Sequence, residues 1–336
     1  MDIAFKEKNI DLYKSRFDSI KNLYEDFINI NNNHKMRIRD ISNGLKISEA
    51  ELLSLNIGNG VQYLCTKKSK NILADILKFK MVMFLTRNEE SVHENILNTE
   101  YVSIESKLNL EIYYKKELLV IFNKSPWEYV FAEWKNIGTK ELKTVQFFND
   151  KGLAVLKIYI KDDNSRYFQK IIDKYSIDYK FQIQKANIGF QEKNNSIDAN
   201  LFIQTMANKF LNCNNYERYC IQKKGILNKV LNMVSENNYK VGIYVPGPSS
   251  IQFYHGEIKR VIDFKGWLNI LDAKFNLHVK EQLIEDCICI YYSRLDNKFH
   301  LHFYSNDDCV KLGIFSLDSS FTFLNHIKSF IGNLNK

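Results

Sequence analysis

No apolar run in this 336-residue chain reaches the roughly 18 residues that a membrane-crossing helix needs. Insertion into a bilayer is therefore not expected. The opening stretch Met1-Asp2-Ile3-Ala4-Phe5-Lys6-Glu7-Lys8 is charged from the start, so no signal peptide is expected either. None of the six cysteines (Cys65, Cys213, Cys220, Cys287, Cys289, Cys309) stands in a Cys-x-x-Cys pair. Cys287 and Cys289 are two apart on a probable strand, whereas zinc-binding pairs usually span a turn. Reduced thiols and a cytoplasmic location are the consistent expectation. Nucleophile elbow, P-loop and dinucleotide fingerprint are all missing. Gly242-Ile243-Tyr244-Val245-Pro246-Gly247 is no phosphate loop, because Pro246 and Pro248 stiffen a turn there.

What is abundant is apolar and aromatic. Hydrophobic residues make up 45%, with 23 Phe and 19 Tyr, which is ample material for a packed interior. The length suggests two domains or one duplicated domain. A net charge of +8 is spread along the chain. It favours nucleic acid, anionic lipid or a small polyanion such as a carboxylated cofactor, or it is simply a solvated basic surface.

Residues 9–35 carry an apolar stripe at helical spacing (Leu12, Phe17, Ile20, Leu23, Tyr24, Phe27, Ile28). A second short helix is expected over 36–45, with Gly44 as its stop, and a third opens at Ser48 with Glu51 completing a capping box. Two short helices about a turn resemble a helix-turn-helix, which raises DNA binding beside plain helical packing.

A duplication follows. Ile72-Leu73-Ala74-Asp75-Ile76-Leu77 matches Ile226-Leu227-Asn228-Lys229-Val230-Leu231, and strands at Met81–Leu85 and Val241–Val245 come next. Lys107–Ile112 is paired with Lys274–Val279, and Val145–Gly152 with Leu301–Asp308, whose Asn/Asp turns between β-rich runs signal hairpins. Helices close each copy, at 166–175 and 323–334. The fold expected is α+β, a tandem repeat of two similar halves, each a large antiparallel sheet with flanking helices. Residues 1–180 form the first half with its helical lead-in, a polar linker covers 181–197, and 198–336 form the second, opening on a helix capped by Asp198.

These segments resemble the bacterial cytosolic haem-transport and hemin-degrading factor family, the HemS/ChuS type. The matching pieces are Ile47–Leu52, Thr86-Arg87-Asn88 with Val92-His93-Glu94, Val145–Phe148 with Gly152, and Gly266–Ile270 with Phe275–His278. They occur in the family's order over nearly the whole chain. The resemblance implies two related halves clasping one haem. An axial histidine comes from the inter-domain helix and an arginine from a strand of the first half. It also implies haem delivered by an importer and passed to a downstream haem oxygenase, or ring opening by the protein itself.

The chain departs from the pattern at the ligands. Asn200 stands where the axial histidine is expected, Glu111 where the arginine is, and Asp318 near an expected basic residue. An amide nitrogen is a poor iron ligand, and a carboxylate facing the porphyrin opposes its propionates. Replacement ligands are sought among the histidines. His93 matches a histidine serving a second haem site in part of the family, and His278 pairs by internal symmetry with Glu111. Either could ligate iron or be structural. His255 lies beside Phe253 and Tyr254. His300 and His302 share one strand face, as a metal pair or, the commoner outcome, as an exposed polar face. Tyr113, Phe202, Phe253 and Tyr292 are candidate haem walls by the resemblance, and Arg294 is the candidate propionate cation. Two functions are open: a cytosolic haem-binding protein of haem iron uptake, or a repurposed scaffold of the same fold binding nucleic acid, a protein partner or another anion.

Overall fold

The computed structural model describes residues 18–26, 38–106, 109–123, 126–178, 216–222, 225–284, 287–293, 298–305, 309–317 and parts of 322–329; for 216–222, 287–293 and 298 it describes the backbone alone. A helical stretch over 18–26 is followed by α1 (Ile38–Leu45) and α2 (Glu49–Ser54). The first repeat then runs β1 (Val61–Leu64), α3 (Ser69–Ile76), β2 (Met81–Arg87), β3 (Ser91–Asn98), β4 (Val102–Ser106), β5 (Leu110–Tyr114), β6 (Glu117–Phe122), β7 (Tyr129–Ile137), β8 (Lys140–Phe148), β9 (Ala154–Ile160) and α4 (Ser165–Tyr175). The second repeats it: β10 (Tyr216–Gln222), α5 (Ile226–Glu236), β11 (Lys240–Pro246), β12 (Ser250–Glu257), β13 (Val261–Phe264), β14 (Trp267–Leu271), β15 (Phe275–Val279), β16 (Cys287–Ser293), β17 (Lys298–Tyr304), β18 (Val310–Ser316), then helical residues within 322–329. This is the expected α+β duplication with antiparallel sheets.

By contact the chain forms two compact units, one of Met1–Phe79 with Pro126–Glu192 and one of Lys80–Ser125 with Lys193–Lys336. In the first, β1, β7, β8 and β9 pair in that order, all antiparallel. Their inward side chains, Val61, Tyr63, Tyr129, Phe131, Phe148 and Ala154, pack on Ala50 and Leu53 of α2. The capping box holds α2 as expected: the Glu51 amide donates to Ser48 Oγ at 3.2 Å, and the Ser48 amide donates to Glu51 Oε2 at 3.0 Å. Gly152 is required by this packing. Its φ is +72°, and a Cβ there would lie 2.3 Å from Ser48 Oγ.

All six residues of α2 are buried, so it cannot lie in a DNA groove as a recognition helix. Glu49 instead accepts from Arg39 Nη1 at 2.9 Å and from Lys157 Nζ at 2.6 Å, tying α1, α2 and β9 together. Gly44 does not stop α1. The helix continues to Leu45, and Lys46 takes a positive φ of 56° in its place.

The second unit contains two sheets. One has the order β2-β3-β15-β14-β13, the other β10-β16-β17-β18-β11-β12-β6-β5-β4. Each repeat thus hands its three-stranded meander to the other: β6 pairs with β12, and β15 pairs with β3. The register corrects one expected correspondence. Phe122 faces Ser250 as Val279 faces Ser91, the serines being the first residues of β12 and β3. So β15 is the counterpart of β6, not of β5. His278 answers to Ile121 rather than to Glu111, and His93 answers to Gln252.

Candidate functional site

The nine-stranded sheet has two unlike faces. One is aliphatic: Val241, Ile243, Val245, Leu301, Leu312 and Ile314 pack with α5. Alternation along each strand sends the intervening residues to the other face. There, two ranks of side chains cross four strands. His300 lies beside Phe315, Phe315 beside Gly242, and Gly242 beside His255; His302 lies beside Gly313, Gly313 beside Tyr244, and Tyr244 beside Phe253.

The two glycines let the rings lie down. A Cβ on Gly242 would stand 1.9 Å from Phe315 Cζ, and one on Gly313 would stand 1.7 Å from Tyr244 Cζ. Each ring therefore leans across its neighbouring strand into space only glycine leaves. Tyr244 and Phe315, 32° apart in plane with centroids at 6.2 Å, form an aromatic floor. His300 stacks on Phe315 at 16°. His302 stands at 85° to Tyr244, and His255 at 83° to Phe315.

The floor continues into the meander of the first repeat. Leu118, Ile121 and Ile251 join Tyr244, Phe253 and Phe315 in one cluster, with Tyr113 packed against it. Glu111 is directly opposite Ile121 and shares its face. The Tyr113 hydroxyl donates to Glu111 Oε2. Burial pushes this phenol up, and the bond to Glu111 with its negative charge pushes the same way. His255 Nδ1 lies 3.3 Å from Glu117 Oε2. Burial lowers this imidazole, while the Glu117 charge pulls the other way. A cavity of about 260 Å³ opens where β12 parts from β6, lined among others by His255, Leu118, Phe253, Lys115 and Lys274.

The structure thus brings Glu111, Tyr113 and Phe253 onto one face, and adds His255, His300 and His302 there. His300 and His302 are 1% and 3% exposed, which corrects the exposed-face expectation. His93 and His278 lie elsewhere. Leu277 faces His93 and Val92 faces His278, so the two histidines occupy opposite sides of the β3–β15 ladder. His93 is fully buried, edge-on to Phe275 at 5.0 Å, and burial lowers its pKa to about 3. His278 is half-buried with Nδ1 2.7 Å from Asn269 Oδ1. Tyr292 is on β16, with only its backbone described; Asn200, Phe202, Arg294 and Asp318, with the Asp198 helix and the whole linker, lie outside the described residues. Among the described residues no group of three or more His, Cys, Asp or Glu side chains could hold a metal ion, and no helix is long and apolar enough to cross a membrane. The aromatic floor was missed in the sequence. Its one signal is that Gly242 and Gly313 each stand two residues from a large aromatic of their own strand, Tyr244 and Phe315.

Residues 46–175 match the family model described as the haemin-degrading HemS.ChuX domain. The chain is 21% identical over 288 residues to the hemin transport protein HmuS of Yersinia pestis, covering 79% of this chain and 82% of that one. Among solved structures it is similar to the haem-degrading enzyme ChuS of Escherichia coli O157:H7, at 19% identity and a TM-score of 0.76, covering 92% of this chain and 99% of that one. It is also similar to haem-bound PhuS of Pseudomonas aeruginosa, at 18% identity and a TM-score of 0.71, covering 89% and 92%. These structural likenesses carry the fold. With the domain matched over residues 46–175 and the curated relative, they make the chain similar to proteins of the HemS/ChuS type.

Proposed function

We propose that this protein binds haem and carries it through the cytoplasm, receiving it from an importer and yielding it to a downstream oxygenase. The observation that supports this best is the floor of the nine-stranded sheet. Tyr244 and Phe315 lie over Gly313 and Gly242, making a buried aromatic surface beside imidazoles, the two rings 32° apart in plane. A porphyrin is a flat apolar disc with a metal at its centre and two carboxylates at one edge. It is served by apolar walls and an imidazole. Phe253, Tyr113 and Tyr244 supply the walls, and His255, His300 and His302 are on the same face.

Bound haem would supply iron for oxygen chemistry, and the chain's own residues would bind, orient and exclude water. Glu111 with Tyr113 gives this face a carboxylate–phenol pair. A carboxylate repels propionates, so Glu111 would oppose the acidic edge of such a ligand beside β5. The basic surface, +8 over the chain, favours a dianionic ligand in general.

The test is an optical titration of the full chain with hemin. A sharp Soret band saturating at one equivalent is expected. Broad absorbance without saturation would refute the reading and favour the repurposed scaffold.

A further inference from the structure

The face that carries the aromatic floor also fixes the directions of its imidazoles. His300 is nearly parallel to Phe315, at 16° and 5.2 Å between centroids, so it extends the floor. His302 is nearly perpendicular to Tyr244, at 85° and 6.0 Å, so it stands up from it. An imidazole bonded to iron at an axial position stands on the porphyrin plane, because its lone pair lies in its own ring plane. A flat macrocycle lying along Tyr244 would therefore meet His302 end-on.

His255 also stands, at 83° to Phe315, yet its Nδ1 lies 3.3 Å from the Glu117 carboxylate. It bridges the gap between β12 and β6. His93 and His278 belong to the other sheet of the unit. The residue matching the family's ligand is Asn200, whose amide is a weak donor to iron.

We propose that His302, carried by the sheet itself, is the axial ligand of a ferric porphyrin seated on Tyr244, Phe253 and Phe315. The assignment rests on the haem-binding reading above and goes further by naming the donor and its element. His302 is 3% exposed, so ligation requires this face to be uncovered first. The bond forms by donation of an imidazole lone pair into an empty iron coordination position. No electron is transferred, and no proton moves if the donating nitrogen is already unprotonated.

The experiment compares hemin with metal-free protoporphyrin IX on the full chain and on His302→Ala. With hemin, wild type is expected to give a sharp, saturable Soret band, and His302→Ala to bind at least tenfold more weakly with a shifted band. Added imidazole should restore the wild-type spectrum. With the metal-free porphyrin, both proteins should bind alike, since only the planar contacts remain. His302→Gln provides a near-isosteric second variant should the alanine protein fail to fold, and His278→Ala should leave the spectrum unchanged. Should wild type bind hemin while the His302 variants keep its spectrum, the ligand assignment falls and the haem-binding reading stands. Equal weakening for both porphyrins would make His302 structural and also overturn the assignment. If wild type binds no hemin, the reading beneath the assignment fails first.

Discussion

His93 shows how one side chain can be chemically capable and yet placed for another task. Its ring is fully buried against Phe275, and burial lowers its pKa from 6.5 to about 3. The unfolded chain therefore takes up a proton at this residue before the folded chain does. Between pH 6.5 and about 3, each unit of acidification should remove about 1.4 kcal/mol of stability. His93→Gln places there the residue that the second repeat carries as Gln252. It should flatten that part of the pH dependence, measured by urea unfolding at a series of pH values. An unchanged slope would show that His93 does not titrate as placed. The glycines of the aromatic floor are the other decisive single residues. Gly313→Ala puts a Cβ 1.7 Å from the Tyr244 ring. The ring must then lift, at a cost of about 1–3 kcal/mol in unfolding free energy. Hemin affinity should fall with it if the floor seats the ligand.

At the level of elements, short ionic clusters tie helices to strands. Glu49 is 1% exposed in its side chain between Arg39 and Lys157, at 8% and 9%. Glu49→Ala leaves two buried cations without their anion, and a loss of about 3–5 kcal/mol is expected in chemical denaturation. A loss under about 1 kcal/mol would mean that the cations escape to solvent. Asp75 joins α3 to α4 by accepting from Lys174 and Lys78 and from the Tyr175 hydroxyl. Burial pushes its carboxyl up, but these bonds together hold it well below the usual range. Its folded pKa is depressed, so its contribution is present above about pH 4 and is lost as pH falls below that. Asp75→Asn should remove this acid-side loss in a Tm-against-pH series.

Much at this level was legible in the sequence. Ser48 and Glu51 announced α2, and the hairpin turn at Asn149 is present, its Oδ1 accepting from the Lys151 and Leu153 amides. The strand offset was not legible. Asn109-Leu110 at the start of β5 and Asn276-Leu277 on β15 open similar alternating patterns, and alternation does not distinguish a middle strand from a last one. For the same reason, spacing placed His300 and His302 on one face without revealing that this face is buried.

At the scale of the whole molecule, the exchange of meanders matters most. Because β6 completes β12 and β15 completes β3, neither repeat contains all of its own sheet partners. The second repeat expressed alone, residues 198–336, would leave the β12 edge at Ser250–Gln252 open. It should be recovered as aggregate or oligomer by light scattering. A monomer unfolding cooperatively would show the exchange to be dispensable. The exchange is also what delivers Glu111 and Tyr113 of the first repeat to the face that carries Tyr244, Phe253 and His302 of the second.

Whether a flat ligand occupies that face is tested most directly by hydrogen–deuterium exchange with and without one equivalent of hemin. Slower exchange is expected in segments spanning Ser250–Glu257, Lys298–Tyr304 and Val310–Ser316. Hemin that binds without protecting these strands, or that protects Ser91–Asn98 and Phe275–Val279 instead, would contradict the account.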